Sequence, residues 1–140
     1  KISNKYLNID LPQWDDSLVI DSKERFAITH NWDELRKIMW NYVGIVRSNK
    51  RLKIAKEKVG LIEREMNEYY YKYKVTADML ELRNIINVAK LIIDSALDRK
   101  ESRGLHYSID FPKKNIAYKK STFIDGRKNE YHLKLVKFKV

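Results

Sequence analysis

Leu52-Lys53-Ile54-Ala55-Lys56-Glu57-Lys58-Val59-Gly60-Leu61-Ile62-Glu63-Arg64-Glu65-Met66-Asn67-Glu68-Tyr69-Tyr70-Tyr71-Lys72-Tyr73 carries an apolar stripe. Leu52, Ala55, Val59, Ile62, Met66, Tyr69 and Tyr73 recur at steps of three and four, the helical period. The positions between them are mostly Lys, Glu and Arg. One face is therefore built for a core and the other for water. Ser48 supplies a cap ahead of the stripe. A helix over 48–73 would be roughly 39 Å long.

A helix is predicted on each side. Asn31-Trp32-Asp33-Glu34 reads as a capping box, a cap residue with Glu three positions on, so the first helix is expected to start at Asn31. Its apolar residues are Trp32, Leu35, Met39, Tyr42/Val43 and Val46, and Gly44 marks a break or a close helix contact. The third helix takes Thr76 as its cap, with Asp78 at the positive end of the dipole. Leu82, Ile85/Ile86, Ala89, Ile92/Ile93 and Ala96/Leu97 form its apolar face. Arg99 and Lys100 are placed in its last turn, with Gly104 as the stop signal.

Outside these helices the period changes. Residues 1–28 show none, and Leu11-Pro12 reads as extended or turn, so they form an extended lead-in. Lys119–Ile124 and Glu130–Phe138 flank Asp125-Gly126-Arg127-Lys128-Asn129, and Tyr131, Leu133 and Leu135 alternate with His132 and Lys134. That is a hairpin signal with a loop of about five residues. The fold class is mainly α: an antiparallel three-helix bundle over 29–112, an extended lead-in over 1–28 and a basic C-terminal β-hairpin over 113–140. A lone hairpin is marginal and needs a surface to lie on.

The chain has 140 residues, 44% hydrophobic and 34% charged, enough for one domain that buries roughly two thirds of its unfolded surface. Cysteine is absent, which excludes disulfides, thiolate metal sites and a cysteine nucleophile. No apolar run reaches the roughly 20 residues of a membrane helix, and no secretory leader pattern opens the sequence. A start at Lys1 reads as a fragment or a processed product. The net charge is +10. Residues 1–112 hold 20 Lys/Arg against 17 Asp/Glu, and residues 113–140 hold 9 against 2, so the tail carries most of the excess. A basic tail can bind nucleic acid or an acidic surface, and the plainer reading is a solvated lysine-rich face.

Chemistry-bearing motifs are few. No GxGxxG or Walker sequence occurs. His30, His106 and His132 lie far apart, without the spacing of metal ligands. Tyr69, Tyr70, Tyr71 and Tyr73 could stack bases, but Tyr69 and Tyr73 fall on the apolar stripe and read as core. Glu63, Glu65 and Glu68 read as a solvated face. The dense spot is Arg99-Lys100-Glu101-Ser102-Arg103-Gly104-Leu105-His106-Tyr107. Arginine forks suit carboxylates and phosphates. The alternative is internal: Glu101 pairs with Arg103 or Arg99, and His106 bonds backbone to fix the turn.

Several of these words closely resemble the C-terminal helical domain of the L-aspartate oxidases, within the succinate dehydrogenase/fumarate reductase flavoproteins. They are Leu35–Ser48 (LRKIMWNYVGIVRS), Arg51-Leu52, Leu80–Asn84 and Arg99–Tyr107, in that order over about residues 29–112. Lys120-Ser121-Thr122 and the hairpin look more like the tail of a succinate dehydrogenase flavoprotein. The resemblance implies a parent enzyme that uses FAD to oxidise L-aspartate to iminoaspartate for quinolinate and NAD synthesis, with oxygen or fumarate as acceptor. It implies a cytoplasmic setting, no membrane, and a flavin and capping domain as partner, with quinolinate synthase as a further one. The catalytic and flavin-binding groups would lie in those domains, leaving this piece inactive alone and without FAD. Its work would be support, with Arg99, Glu101, Ser102, Arg103 and His106 as the interdomain contact. Two other readings compete: a succinate dehydrogenase or fumarate reductase piece, and a basic helical module that binds nucleic acid.

Overall fold

The computed structural model describes Gln13, residues 25–125 and residues 132–136. Three helices carry the fold: α1 (Arg25–Tyr42), α2 (Asn49–Lys72) and α3 (Ala77–Asp98). Short links make successive helices antiparallel neighbours, and α1 also packs on α3, which closes the bundle. Most of the stripe residues meet as predicted; Val46 does not, because α1 ends at Tyr42 and places it exposed on a short strand, and Ile92 stays partly exposed. Leu35, Ile38 and Val43 come from the first helix and its exit, Leu52, Ala55, Val59, Ile62 and Met66 from α2, and Met79, Leu82, Ile86, Ala89, Ile93 and Ala96 from α3. Tyr69, Tyr70 and Tyr73 pack at the edge of this core, while Tyr71 is exposed.

Two caps behave as expected. Ser48 Oγ accepts from the Arg51 amide at 3.3 Å and Thr76 Oγ1 from the Met79 amide at 3.3 Å. Three expectations are corrected. The first helix already runs from Arg25, so the lead-in ends earlier than residue 28 and Asn31 is no cap. Asn31 is buried mid-helix, and its amide donates to Glu65 Oε2 on α2 at 3.2 Å, a tertiary bond that replaces the local one. The third helix stops at Asp98, with Arg99 as its C-cap rather than in its last turn. Gly104 lies beyond the helix. Its φ of 59° serves a two-residue turn in which Arg103 and His106 exchange both backbone bonds, at 2.9 and 3.2 Å. Positive φ at the first central position favours glycine there. The rest of the lead-in lies outside the described residues.

Gly44 does mark the end of α1. A Cβ there would sit 3.2 Å from the Trp40 carbonyl oxygen. The chain then forms β1 (Val46–Arg47), which pairs in parallel with β2 (Tyr107–Ser108). Beyond a short 3₁₀ turn (Ile116–Tyr118), β3 (Ser121–Asp125) pairs antiparallel with β4 (His132–Val136), with Ser121 opposite Val136 and Asp125 opposite His132. This is the predicted hairpin; its loop lies outside the described residues.

Candidate functional site

The dense spot folds into a clasp at the end of the bundle where α1 exits and α3 stops. Glu101 is its centre and is fully buried. Oε1 accepts from Arg99 Nη1 and Arg103 Nε, each at 2.8 Å, and Oε2 accepts from Arg103 Nη2 and the Asn115 amide, each at 2.9 Å. The Arg103 hydrogen bond is the main reason its carboxyl is held down to about 2, with the Asn115 amide, the Arg103 charge and Arg99 adding to it against the cost of burial. Arg103 is stabilised as a cation by the same pair. Two arginines and a backbone amide fill the carboxylate's acceptor positions, which is what a buried charge requires.

Arg99 reaches furthest. Nη1 donates to the Tyr118 carbonyl at 3.0 Å, and Nη2 donates to the Lys120 carbonyl at 3.0 Å and to Thr122 Oγ1 at 2.9 Å. One guanidinium thus ties the end of α3 to the segment that enters the hairpin. Ser102 works in the same way on a shorter loop. Its amide donates to the Lys113 carbonyl at 3.2 Å, and Oγ donates to the Phe111 carbonyl at 2.7 Å and accepts from the Ser108 amide at 2.9 Å.

His106 joins the clasp to the α1–α2 link. Arg47 Nη1 lies 2.9 Å from its Nδ1, and its Nε2 lies 3.2 Å from the Arg99 carbonyl. An arginine can only donate, so Nδ1 must accept and Nε2 carries the proton. Burial first, and then the Arg47 charge, push the His106 pKa down and keep the ring neutral. The Ile45 carbonyl accepts from Tyr107, the Arg47 carbonyl accepts from Ile109, and the Asn49 amide donates to Asp110 Oδ2 at 2.6 Å. Arg99, Glu101, Arg103 and His106 are therefore joined in one network, and Ser102, between them in sequence, pins the adjoining loop through Ser108, Phe111 and Lys113. Glu101 and Ser102 are buried, while Arg103 and His106 keep part of their surface.

Arg47 was not singled out by the sequence reading. Its Nε donates to the Gly44 carbonyl at 2.7 Å and to the Val43 carbonyl at 3.3 Å, so it closes the end of α1. Arg51 helps by donating to the Asn41 carbonyl. A two-residue parallel pairing leaves no period to read. One signal was legible: residues 35–56 contain no Asp or Glu and seven Lys or Arg.

Among the described residues no group of three His, Asp or Glu side chains could hold a metal, and no helix is long and apolar enough to cross a membrane. Among the described residues no βαβ cradle for a dinucleotide occurs either. That site needs a strand, a glycine-rich turn and a helix N-terminus in one βαβ unit. Here the parallel pair is two residues long and is joined through α2 and α3 with no glycine-rich turn.

A family model described as "Fumarate reductase flavoprotein C-term" matches residues 32–140. The chain belongs to this family. Proteins similar to it include L-aspartate oxidase 1 of Ralstonia nicotianae, 56% identical over 102 residues, which are 73% of this chain and 19% of that protein. L-aspartate oxidase of Pseudomonas aeruginosa is 59% identical over 102 residues, with the same shares of 73% and 19%. The chloroplastic L-aspartate oxidase 2-b of Nicotiana tabacum is 46% identical over 84 residues, 56% of this chain and 13% of that protein. The chain spans about a fifth of the length of the bacterial relatives it matches. The flavoprotein C-terminal match takes in α2, α3, the clasp and the hairpin together, and most of α1.

Proposed function

We propose that the chain is the C-terminal helical support domain of an FAD-dependent L-aspartate oxidase. The observation that carries the reading is sequence identity of 56–59% to two bacterial proteins of that name over 102 residues, 73% of this chain. The parent would oxidise L-aspartate to iminoaspartate, with hydride leaving the substrate's α-carbon for the flavin. Iminoaspartate would pass to quinolinate synthase, in the cytoplasm. In this reading FAD and the reacting groups would lie in the remainder of the parent, and no chemical step is assigned to this chain.

What the chain contributes is rigidity. A buried carboxylate bound by two arginines orders the link after α3, the α1–α2 exit and the hairpin as one unit. Arg103 and His106, the partly exposed members, would face the flavin-bearing remainder. Arg99, Glu101 and Ser102 would hold that contact from behind.

The test is turnover of the full-length parent with bound flavin. Hydrogen peroxide formed with L-aspartate, and lost on deleting residues 32–140, is the expected result. Turnover with succinate or fumarate alone would replace this reading with the succinate dehydrogenase one. Salt-sensitive affinity for single-stranded nucleic acid without flavin turnover would replace it with the basic-module reading.

A further inference from the structure

Among the described residues, Arg47 is a partly buried cation of the clasp without a counter-ion. Arg47 is half-buried, and burial alone pushes its pKa down. Among the described residues no carboxylate lies within ion-pair distance of it. Its hydrogen-bond partners are two backbone carbonyls and the neutral imidazole of His106. A guanidinium taken out of water without an anion is costly, and such charges are ordinarily paired.

Arg47 also stands where two hollows meet. One, of roughly 770 Å³, runs along α1 past Met39 and Trp40. The other, of roughly 330 Å³, runs under Val88 and Ile92 to Arg99 and His106. A third, of roughly 260 Å³, continues between Trp32 and Val88. Ile92 lines all three, so they form one trough between α1 and α3. Its surface is apolar: Trp40 is 86% exposed, Val88 53% and Ile92 41%. Arg36, Lys37, Arg47 and Arg99 line it and no acidic side chain does. An exposed tryptophan beside aliphatics and arginine is the composition of an interface centre.

Tether and charge select the occupant. The bacterial relatives are about five times as long as the matched stretch, so a partner within the same polypeptide would be present at a high effective concentration. The trough's unmatched positive charge calls for acid on that partner. We propose that the trough between α1 and α3 is the docking site for the flavin-bearing remainder of the same polypeptide, which lays an apolar segment on Trp40, Val88 and Ile92 and sets a carboxylate against Arg47. This rests on the support-domain reading and names the surface through which the support acts.

The experiment uses the full-length flavoprotein. The chain has no cysteine, so single reporters placed here are read unambiguously by peptide mass spectrometry. Asn41→Cys and Val88→Cys lie in the trough, and Leu61→Cys, on exposed α2 surface, is the control. In the native parent, maleimide should label the control at least about tenfold faster than the two trough sites, and all three equally in urea. Arg47→Met should cut the protection by about tenfold and Arg47→Lys should keep most of it, because the missing element is a charge pair. The reporters with Arg47 in place decide the matter even where Arg47→Met fails to fold. Equal native labelling overturns the proposal. So does protection that vanishes on dilution, which would name a second copy, or photo-crosslinking from Val88 to residues 1–24. Turnover measured in the same sample separates the two readings. Protected reporters with succinate turnover keep the docking surface and lose the aspartate reading; aspartate turnover with freely labelled reporters does the reverse.

Discussion

Glu101 is the residue on which the clasp turns, and its chemistry sets an acid limit. In the folded chain its carboxyl titrates at about 2, chiefly because Arg103 binds it, against 4.5 for a free glutamate. The unfolded chain therefore takes up a proton first as pH falls. Its contribution is complete above about pH 4.5 and is lost as pH drops toward about 2. His106 has the same sign by another route. Burial and Arg47 lower its pKa, so the unfolded chain protonates near the usual 6.5 while the folded ring stays neutral, and stability falls below that pH. Glu101→Gln leaves Arg99 and Arg103, both partly exposed, without their anion and should cost about 1–3 kcal/mol at pH 7. It should also flatten the loss of stability between pH 4.5 and 2. Urea unfolding midpoints across pH read both effects; an acid limb as steep as the parent chain's would refute the assignment.

At the scale of elements, the helices and the hairpin are held by different means. The α2 and α3 starts are closed by single hydroxyls. Ser48→Ala and Thr76→Ala should each lower stability by about 1 kcal/mol, measured by denaturant unfolding, because each orphans one backbone amide. A two-stranded ribbon is marginal in water and needs anchoring. Arg99 anchors its entry through Tyr118, Lys120 and Thr122. Lysine keeps the charge but lacks the planar fork that makes these bonds. Arg99→Lys should therefore speed amide exchange over residues 116–125 while α2 and α3 keep their protection. Unchanged exchange there would mean that the hairpin is held by something other than Arg99.

Over the whole molecule the core outweighs the surface charges. Leu82 and Ile86 are almost fully buried where α3 meets its neighbours. Truncating either to alanine should cost about 2–5 kcal/mol. The α2–α3 ion pairs Lys56–Asp94 at 2.7 Å and Lys90–Glu63 at 2.6 Å keep a fifth or more of each side chain in water. Lys56→Ala or Lys90→Ala should cost no more than about 1 kcal/mol, and less at high salt. Calorimetry of both sets ranks the two contributions directly; equal losses would reverse the order. The net charge of +10 is compatible with this, since most of the excess lies in the tail rather than around the bundle.

The sequence by itself determined the three helices, their buried faces, two of their caps and the hairpin strands. Each of these is a short-range matter: a step of three or four, a hydroxyl ahead of a stripe, an alternation of two. It also located the polar cluster, because arginine, glutamate, serine and histidine rarely crowd into eight residues without a shared task. Tertiary structure decided the rest. Asn31 looked like a cap because a capping box is a local pattern, and the Glu65 partner that holds it mid-helix is 34 positions away. Arg99 looked like a dipole partner in a last turn, yet it spans to residues 118–122. The acid-free stretch around Arg47 hinted at a basic role but not at its partner, since the parallel pairing that carries it beside His106 joins residues some sixty positions apart. Hydrogen-bond partners of buried charges are chosen by packing, and packing brings together residues that the period of any one helix keeps separate.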